Sequence, residues 1–359
     1  MAYWIIIISM FFFMIVLQMR NGKIAFALNA NKYILIVLAV CWMIAAFRNI
    51  SVGADTAHYA KLYINICDSS WAEIFSSFKY QGQEIGWNIL SKLVSLISNN
   101  YYLLQIITSA IFCFGFYPFI KKNSTNAVLA MSVFLGTGLY LYSFNIARQM
   151  IAVMLVANAW DKLREEKARE FFFLVALACT FHVTSAIFLI VYLVYKLWPY
   201  KKTHKYLVMC VIFVGIFYQK ILEFFTPILQ DYYNYNNYLV NERLKQTAGL
   251  VVLFWIVIVF LSLYLIIKGK NDEDQASVSG LFAIFYVIMS LVGLKFNYMD
   301  RIGVYFLPFL IPMFDEIQYK IKNIYLAKTY MVSAIICFLI YFILSTQTAQ
   351  YLYITFLNY

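Results

Sequence analysis

Charge is scarce in this sequence: only 13% of the 359 residues are charged, against 64% hydrophobic and 19% aromatic. No soluble domain is left once the apolar runs are set aside. The net charge of +11 comes from Lys and Arg scattered over short loops, never gathered into a stripe or an arm, which excludes nucleic acid as a partner. The six cysteines (Cys41, Cys67, Cys113, Cys179, Cys210 and Cys337) fall mostly inside apolar runs, with no CxxC pair and no metal-ligand spacing. A disulfide framework and a zinc site are therefore not expected. There is no Walker loop, zinc signature, nucleophile elbow or glycine-rich dinucleotide loop, which removes ATP-driven transport and most soluble chemistries. Internal repeats, low-complexity tails and linkers are also missing. The first apolar run, Tyr3 to Met19, lacks a basic leader and is followed by Arg20 and Lys23, so it reads as a retained span that starts outside.

What remains is a succession of apolar runs of membrane length. They predict an all-α, polytopic integral membrane protein, one domain over 1–359, with about twelve membrane segments at 3–19, 32–47, 101–120, 126–144, 148–161, 170–181, 183–198, 206–220, 247–268, 277–294, 302–316 and 329–346. The stretch 170–198 is too long for one span, since ~29 residues would extend about 43 Å as a single helix. A break near Thr180-Phe181-His182 makes it either a hairpin with His182 at the outer end or a partly re-entrant one. With that break, the loops at 20–32, 121–125, 161–170, 196–205, 268–275 and 315–328 share one side and carry about twice the Lys and Arg of the other, as cytoplasmic loops do. Both termini then lie outside. Two long outer loops result, 48–99 and 221–246. The first ends in an amphipathic helix around Trp87–Ile97, fit to lie in the interface; the second holds the tyrosine-rich Tyr232–Tyr238, fit for sugar stacking or an interfacial belt.

Arg148 is the costliest residue in this layout. It sits in Tyr140–Met154, with membrane-grade sequence on both sides, where a guanidinium needs a water-filled cavity or an anion. Asn145, Arg148 and Gln149 fall at i, i+3 and i+4 and share one helical face. Other polar residues collect on the same outer side: Arg48, Asp55, His58, Tyr59, Glu84, His182, Arg243, and the run Tyr298-Met299-Asp300-Arg301. Arg48, Arg148 and Arg301, from three different hairpins, would make an anion site, because the guanidinium fork grips phosphate oxygens in pairs. A carboxylate or imidazole beside them would serve as general base. Each residue has a structural reading as well. Arg48 can snorkel to headgroups, Asp55 can cap the helix that begins at Thr56, and Glu84 can be a solvated loop carboxylate. His182 can be a satisfied structural histidine, and Asp300 and Arg301 a local ion pair.

The ordered set Phe47-Arg48-x4-Gly53-x-Asp55-Thr56-x2-Tyr59, Glu84-x-Gly86-Trp87, Phe144-Asn145-x2-Arg148-Gln149-x2-Ala152, Ala178-x2-Phe181-His182-x2-Ser185 and Tyr298-x2-Arg301 resembles the EpsG-type branch of the Wzy polysaccharide polymerases. These bacterial inner-membrane proteins join lipid-linked oligosaccharide repeats into O-antigen, capsule or exopolysaccharide chains. The resemblance implies an undecaprenyl-diphosphate-linked oligosaccharide as substrate, chemistry at the periplasmic face, and a flippase and a chain-length regulator as membrane partners. It implies no cofactor and no metal, because the donor is already activated by its lipid diphosphate. Arg48, Arg148 and Arg301 would hold that diphosphate, and Asp55, His182 or Glu84 would deprotonate the acceptor. Tyr59, Asn145, Gln149, Arg243, Tyr298 and Asp300 would give polar support. Single displacement would invert the anomeric carbon. A lipid-linked oligosaccharide flippase would need charges deep in several spans, and here they lie at outer ends. A membrane O-acyltransferase would need its histidine toward a cytoplasmic thioester, and His182 faces the other way.

Overall fold

Asparagine starts three of the long apolar helices. The Oδ1 of Asn100 accepts from Tyr102 N, that of Asn126 from Val128 N and Leu129 N, and that of Asn323 from Tyr325 N and Leu326 N. Each satisfies backbone donors that a helix end would otherwise leave bare. In this computed structural model the described residues are 2–199, 201–229, 249–268, 275–294 and 299–355. The helices are α1 (Ala2–Ala46), α2 (Thr56–Asp68), α3 (Trp71–Ile74), α4 (Ile85–Ser95), α5 (Tyr101–Gly115), α6 (Tyr117–Asn123), α7 (Ala127–Gly136), α8 (Leu139–Asn145), α9 (Ala147–Arg164), α10 (Ala168–Phe181), α11 (Leu189–Leu197), α12 (Lys201–Leu229), α13 (Gly249–Lys268), α14 (Gln275–Gly293), α15 (Met299–Gly303), α16 (Leu310–Lys320) and α17 (Ile324–Thr346). Short 3₁₀ turns cover Val183–Phe188, Val304–Phe309 and Ala349–Tyr351. The protein is an all-α membrane protein with one small exception. Strands β1 (Lys79–Tyr80) and β2 (Gln83–Glu84) pair antiparallel. Gln81 (φ 53°) and Gly82 (φ 74°) both take left-handed conformations between them, the pattern of the two-residue hairpin turn whose twist suits paired strands.

Among the described residues, four helical stretches are long and apolar enough to cross a membrane: Asn29–Ala46, Tyr101–Asn123, Ala127–Asn145 and Ile324–Thr346. Five shorter apolar helices, Ala2–Leu17, Val183–Leu197, Thr203–Phe217, Val251–Ile267 and Val278–Gly293, match further predicted spans. The remaining predicted spans, at 148–161, 170–181 and 302–316, coincide with α9, α10 and the Val304–Lys320 stretch, which are helical but less uniformly apolar. The predicted break at His182 is present: α10 ends at Phe181 and His182 is extended (φ −157°, ψ 111°). The amphipathic helix is present too, as α4, starting two residues earlier than predicted.

The first two spans require a correction. Instead of two helices and an intervening loop at 20–32, residues 2–46 are helical throughout. A straight helix of that length would put its ends about 66 Å apart. Yet the Tyr3 and Tyr353 rings are 5.7 Å apart, and the Tyr353 hydroxyl donates to Ile44 O at 3.1 Å. The stretch therefore folds back on itself, and its apolar limbs are Ala2–Leu17 and Asn29–Ala46.

Two compact units make up the chain, residues 1–186 with 321–359, and residues 187–320. In the first unit, Ala127–Asn145 is the central element, 89% buried, whereas Ile324–Thr346 is 28% buried and turns most of its surface outward. Their contact relies on Gly136, where a Cβ would lie 2.7 Å from Phe338 Cα. Small residues that let helix backbones approach are the usual packing device where hydrocarbon removes the hydrophobic drive. In the second unit, Phe188 stacks on Phe309 at 6.0 Å and Phe282 packs on Phe306 and Phe309.

Helix α9 fixes the sidedness of the first unit. Arg148 and Arg164 stand about 24 Å apart along its axis, close to the thickness of a hydrocarbon core. At the Arg164 end, Lys122 pairs with Glu165, Lys162 with Glu170 at 2.9 Å, and Asn123 Nδ2 donates to Asp161 Oδ1 at 2.9 Å. The predicted basic loops at 121–125 and 161–170 thus share one end. The Arg148 end carries the loop 48–99, which the charge pattern predicts to be an outer one.

Candidate functional site

The β1–β2 hairpin delivers Glu84 to the middle of a charged cluster. Its side chain is 2% exposed, and it forms an ion pair with Arg148 Nη1 through Oε2. Oε1 lies 3.3 Å from His182 Nδ1, 3.5 Å from Val183 N as acceptor, and 3.9 Å from Lys79 Nζ. Burial alone would push the Glu84 carboxyl up. The hydrogen bond from His182 and the charges of Arg148 and His182 outweigh it and hold the pKa at about 2. Glu84 is therefore ionised at neutral pH and a weak base.

Local sequence explains how these residues meet. The φ > 0 pair Gln81-Gly82 turns β1 back on β2, so Lys79 sits opposite Glu84. Gly86 then lets α4 approach the end of α10, where a Cβ would lie 2.8 Å from Thr180 O. That approach brings Glu84 beside His182 at the break. The ring of Tyr59 lies 5.3 Å from that of Trp87, and Arg148 Cζ is 5.9 Å from the Tyr59 centroid. Both rings are buried and brace the cluster from behind.

A second group forms around Asn145, between α8 and α9. Its Oδ1 accepts from Ala54 N at 2.7 Å, and its Nδ2 donates to Tyr351 Oη at 2.7 Å and to Gln350 Oε1 at 3.5 Å. Gly53 (φ +98°) donates to Gln350 O at 2.7 Å, and a Cβ there would meet Thr56 Oγ1 at 2.7 Å. The Thr56 hydroxyl is shared between Val52 O and Phe144 O, each at 2.9 Å. Asp55 stands at the cap position of α2, but its side chain makes no capping hydrogen bond. It lies close enough to Tyr351 to reinforce the effect of burial, which pushes that hydroxyl well up against the opposing bond from Asn145.

The other expected residues have surroundings of their own. Arg48 is 3% exposed, donates to Ala45 O, and rests its guanidinium 4.4 Å from the Phe144 ring centroid. Its backbone bridges Thr355, and its carbonyl accepts from Gln105 Nε2 at 2.8 Å. Its Nε has no hydrogen-bond partner among the described residues. Gln149 is buried on α9. Asp300 and Arg301 belong to α15 in the second unit, where Asp300 Oδ1 accepts from Arg301 N at 3.0 Å. Arg243, Tyr298 and the tyrosine-rich 232–238 lie outside the described residues.

Lys79 was not legible as a site residue, because nothing in a solvated-looking loop singles it out; only the Gln81-Gly82 turn hinted at a hairpin. Tyr351 and Gln350 carried no signal at all. Among the described residues, no group of three or more His, Cys, Asp or Glu side chains is placed to hold a metal ion.

Comparison with curated proteins and with solved structures gives no match. The model of the EpsG family matches residues 31–359, from the second limb of α1 through every element of both groups above. The chain belongs to the EpsG family.

Proposed function

We propose that this protein is a polysaccharide polymerase. It joins oligosaccharide repeat units carried on undecaprenyl diphosphate at the periplasmic face of the bacterial inner membrane. The observation that carries the reading is the charge balance around Glu84. One buried carboxylate faces two basic side chains, Arg148 and Lys79, and an imidazole. The cluster keeps a net charge of at least +1 (two cations less one carboxylate), at the membrane end where a lipid diphosphate would present itself. Membership in the EpsG family supports a sugar-polymer substrate class.

Arg148, with Lys79 beside it, binds the diphosphate and stabilises the charge that builds as the anomeric bond breaks. A guanidinium anchored at one corner by Glu84 is preorganised for this, and such donors contribute on the order of a few kcal/mol each. His182 takes the acceptor proton. With Nδ1 toward Glu84, the neutral ring has its lone pair on Nε2. The acceptor oxygen attacks the anomeric carbon, the C–O bond to the diphosphate breaks with its electron pair going to the diphosphate oxygen, and the hydroxyl proton moves to Nε2. Configuration inverts. Glu84 positions Arg148 and His182, and Asp55 faces the acceptor side near Tyr351. Arg48, packed against Phe144 at the end of α1, stands outside the diphosphate contacts. Arg301, in the second unit, enters this scheme through the family resemblance alone.

The test is polymerisation by the purified protein in nanodiscs with a synthetic undecaprenyl-diphosphate repeat unit. Growth of multi-repeat chains with release of lipid diphosphate is expected. Translocation of the lipid-linked unit across proteoliposomes without chain growth would favour a transporter and sink the polymerase reading.

A further inference from the structure

The segment after α17 carries no motif, yet it holds together the pieces that present Arg148. Asn49 N donates to Ile354 O at 2.8 Å, Gly53 N to Gln350 O at 2.7 Å, and the Tyr3 hydroxyl to Tyr351 O at 2.9 Å. Arg48 bridges Thr355 in antiparallel fashion. Tyr351 is 5% exposed, and its hydroxyl accepts from Asn145 Nδ2 at 2.7 Å, while the other end of the Asn145 amide accepts from Ala54 N at 2.7 Å. Asn145 is the last residue of α8, Ile146 (φ −107°, ψ 51°) breaks the helix, and α9 begins at Ala147. Ile146 and Ala147 are thus all that separate the Tyr351-held amide from Arg148. A helix break is where the direction of the following helix is set, and the side chains bonded across it decide that direction.

We propose that Tyr351 is a positioning residue for the Arg148 site. Its hydroxyl locks Asn145, Asn145 ties the Gly53–Asp55 loop to the start of α9, and the two together aim the Arg148 guanidinium at Glu84. This rests on the polymerase reading for its kinetic test, but not for its geometric one. Tyr351 touches neither diphosphate nor acceptor in this account; it acts through Asn145.

The experiment uses the full-length protein in nanodiscs, with Tyr351→Phe, Asn145→Leu and the double variant. Tyr351→Phe removes one oxygen and keeps the ring that packs 6.3 Å from Phe144. Its kcat for chain growth is expected to fall on the order of tenfold or more, the size of effect that small misplacements of a reacting group produce, with KM changed less than about threefold and the unfolding temperature nearly constant. The double variant should be no slower than the slower single variant, because both break the same link. Independently, the rate of Arg148 modification by phenylglyoxal, read by mass spectrometry, should rise in Tyr351→Phe. Unchanged kcat together with unchanged Arg148 labelling overturns the proposal, as does a double variant whose two losses multiply. If the unaltered protein makes no polymer, the polymerase reading fails instead, and the labelling rate alone decides the role of Tyr351.

Discussion

Glu84 offers the sharpest quantitative test of the site. Its carboxyl is lowered from 4.5 to about 2 although burial opposes that change. At about 1.4 kcal/mol per pH unit, the surrounding groups favour the ionised form by about 3 kcal/mol. Because the folded-state pKa is the lower one, this stabilisation is fully present above pH 4.5 and is lost as pH falls toward 2. Glu84→Gln keeps the volume and removes the charge, leaving Arg148 and Lys79 facing a neutral amide. The expected loss is about 3 kcal/mol, the range found when one partner of a buried pair is removed. Arg148→Met strands Glu84 and should lose a similar amount. If the two act as a pair, the double variant loses about as much as either single one, giving a coupling of about 3 kcal/mol. The assay is reversible unfolding in mixed detergent micelles, at pH 7 and again at pH 4. At pH 4 the gap between the unaltered protein and Glu84→Gln should narrow. Additive losses within about 0.5 kcal/mol, with a gap independent of pH, would refute the buried pair and the positioning role built on it.

Three further outcomes follow from the geometry. Arg148→Lys keeps the charge but loses the planar fork anchored on Glu84, and polymerisation in nanodiscs should drop by about a hundredfold or more; full activity would remove Arg148 from diphosphate binding. Gly53→Ala places a Cβ against Thr56 Oγ1 and Phe144 at φ +98°, and should destabilise by roughly 1–3 kcal/mol, read as a lowered unfolding temperature; an unchanged value would show that the loop does not need this conformation. Arg48→Met replaces a buried guanidinium that has no acidic partner among the described residues, so stability should stay within about 1 kcal/mol or rise while chain growth continues. Complete loss of chain growth in a stably folded Arg48→Met would return Arg48 to the diphosphate site.

The membrane class was fixed by composition and hydropathy, which are local properties and survive without knowledge of the fold. The same applies to the break at His182, since helix length against bilayer thickness forces it, and to Arg148, whose position in apolar sequence is anomalous on solvation grounds alone. Helix α4 was readable from its apolar spacing. The β1–β2 hairpin was not, because two residues per strand are too few for an alternation to register.

Pairing was decided only by tertiary structure. Glu84 reads as an ordinary loop carboxylate until the Gln81-Gly82 turn and the Gly86–Thr180 contact carry it 64 residues along the chain to Arg148 and on to His182. Arg48, an arginine at the end of a span as the diphosphate reading wanted, packs against Phe144, and its backbone bridges Thr355. The partners of the two arginines are not written along the chain, because which neighbour compensates a buried charge depends on how helices cross. The amino-acid sequence set the solvent, the helices and the one arginine that needed explaining. The fold chose its partners, for the physical reason that ion pairs and hydrogen bonds form across space while hydropathy is written along the chain.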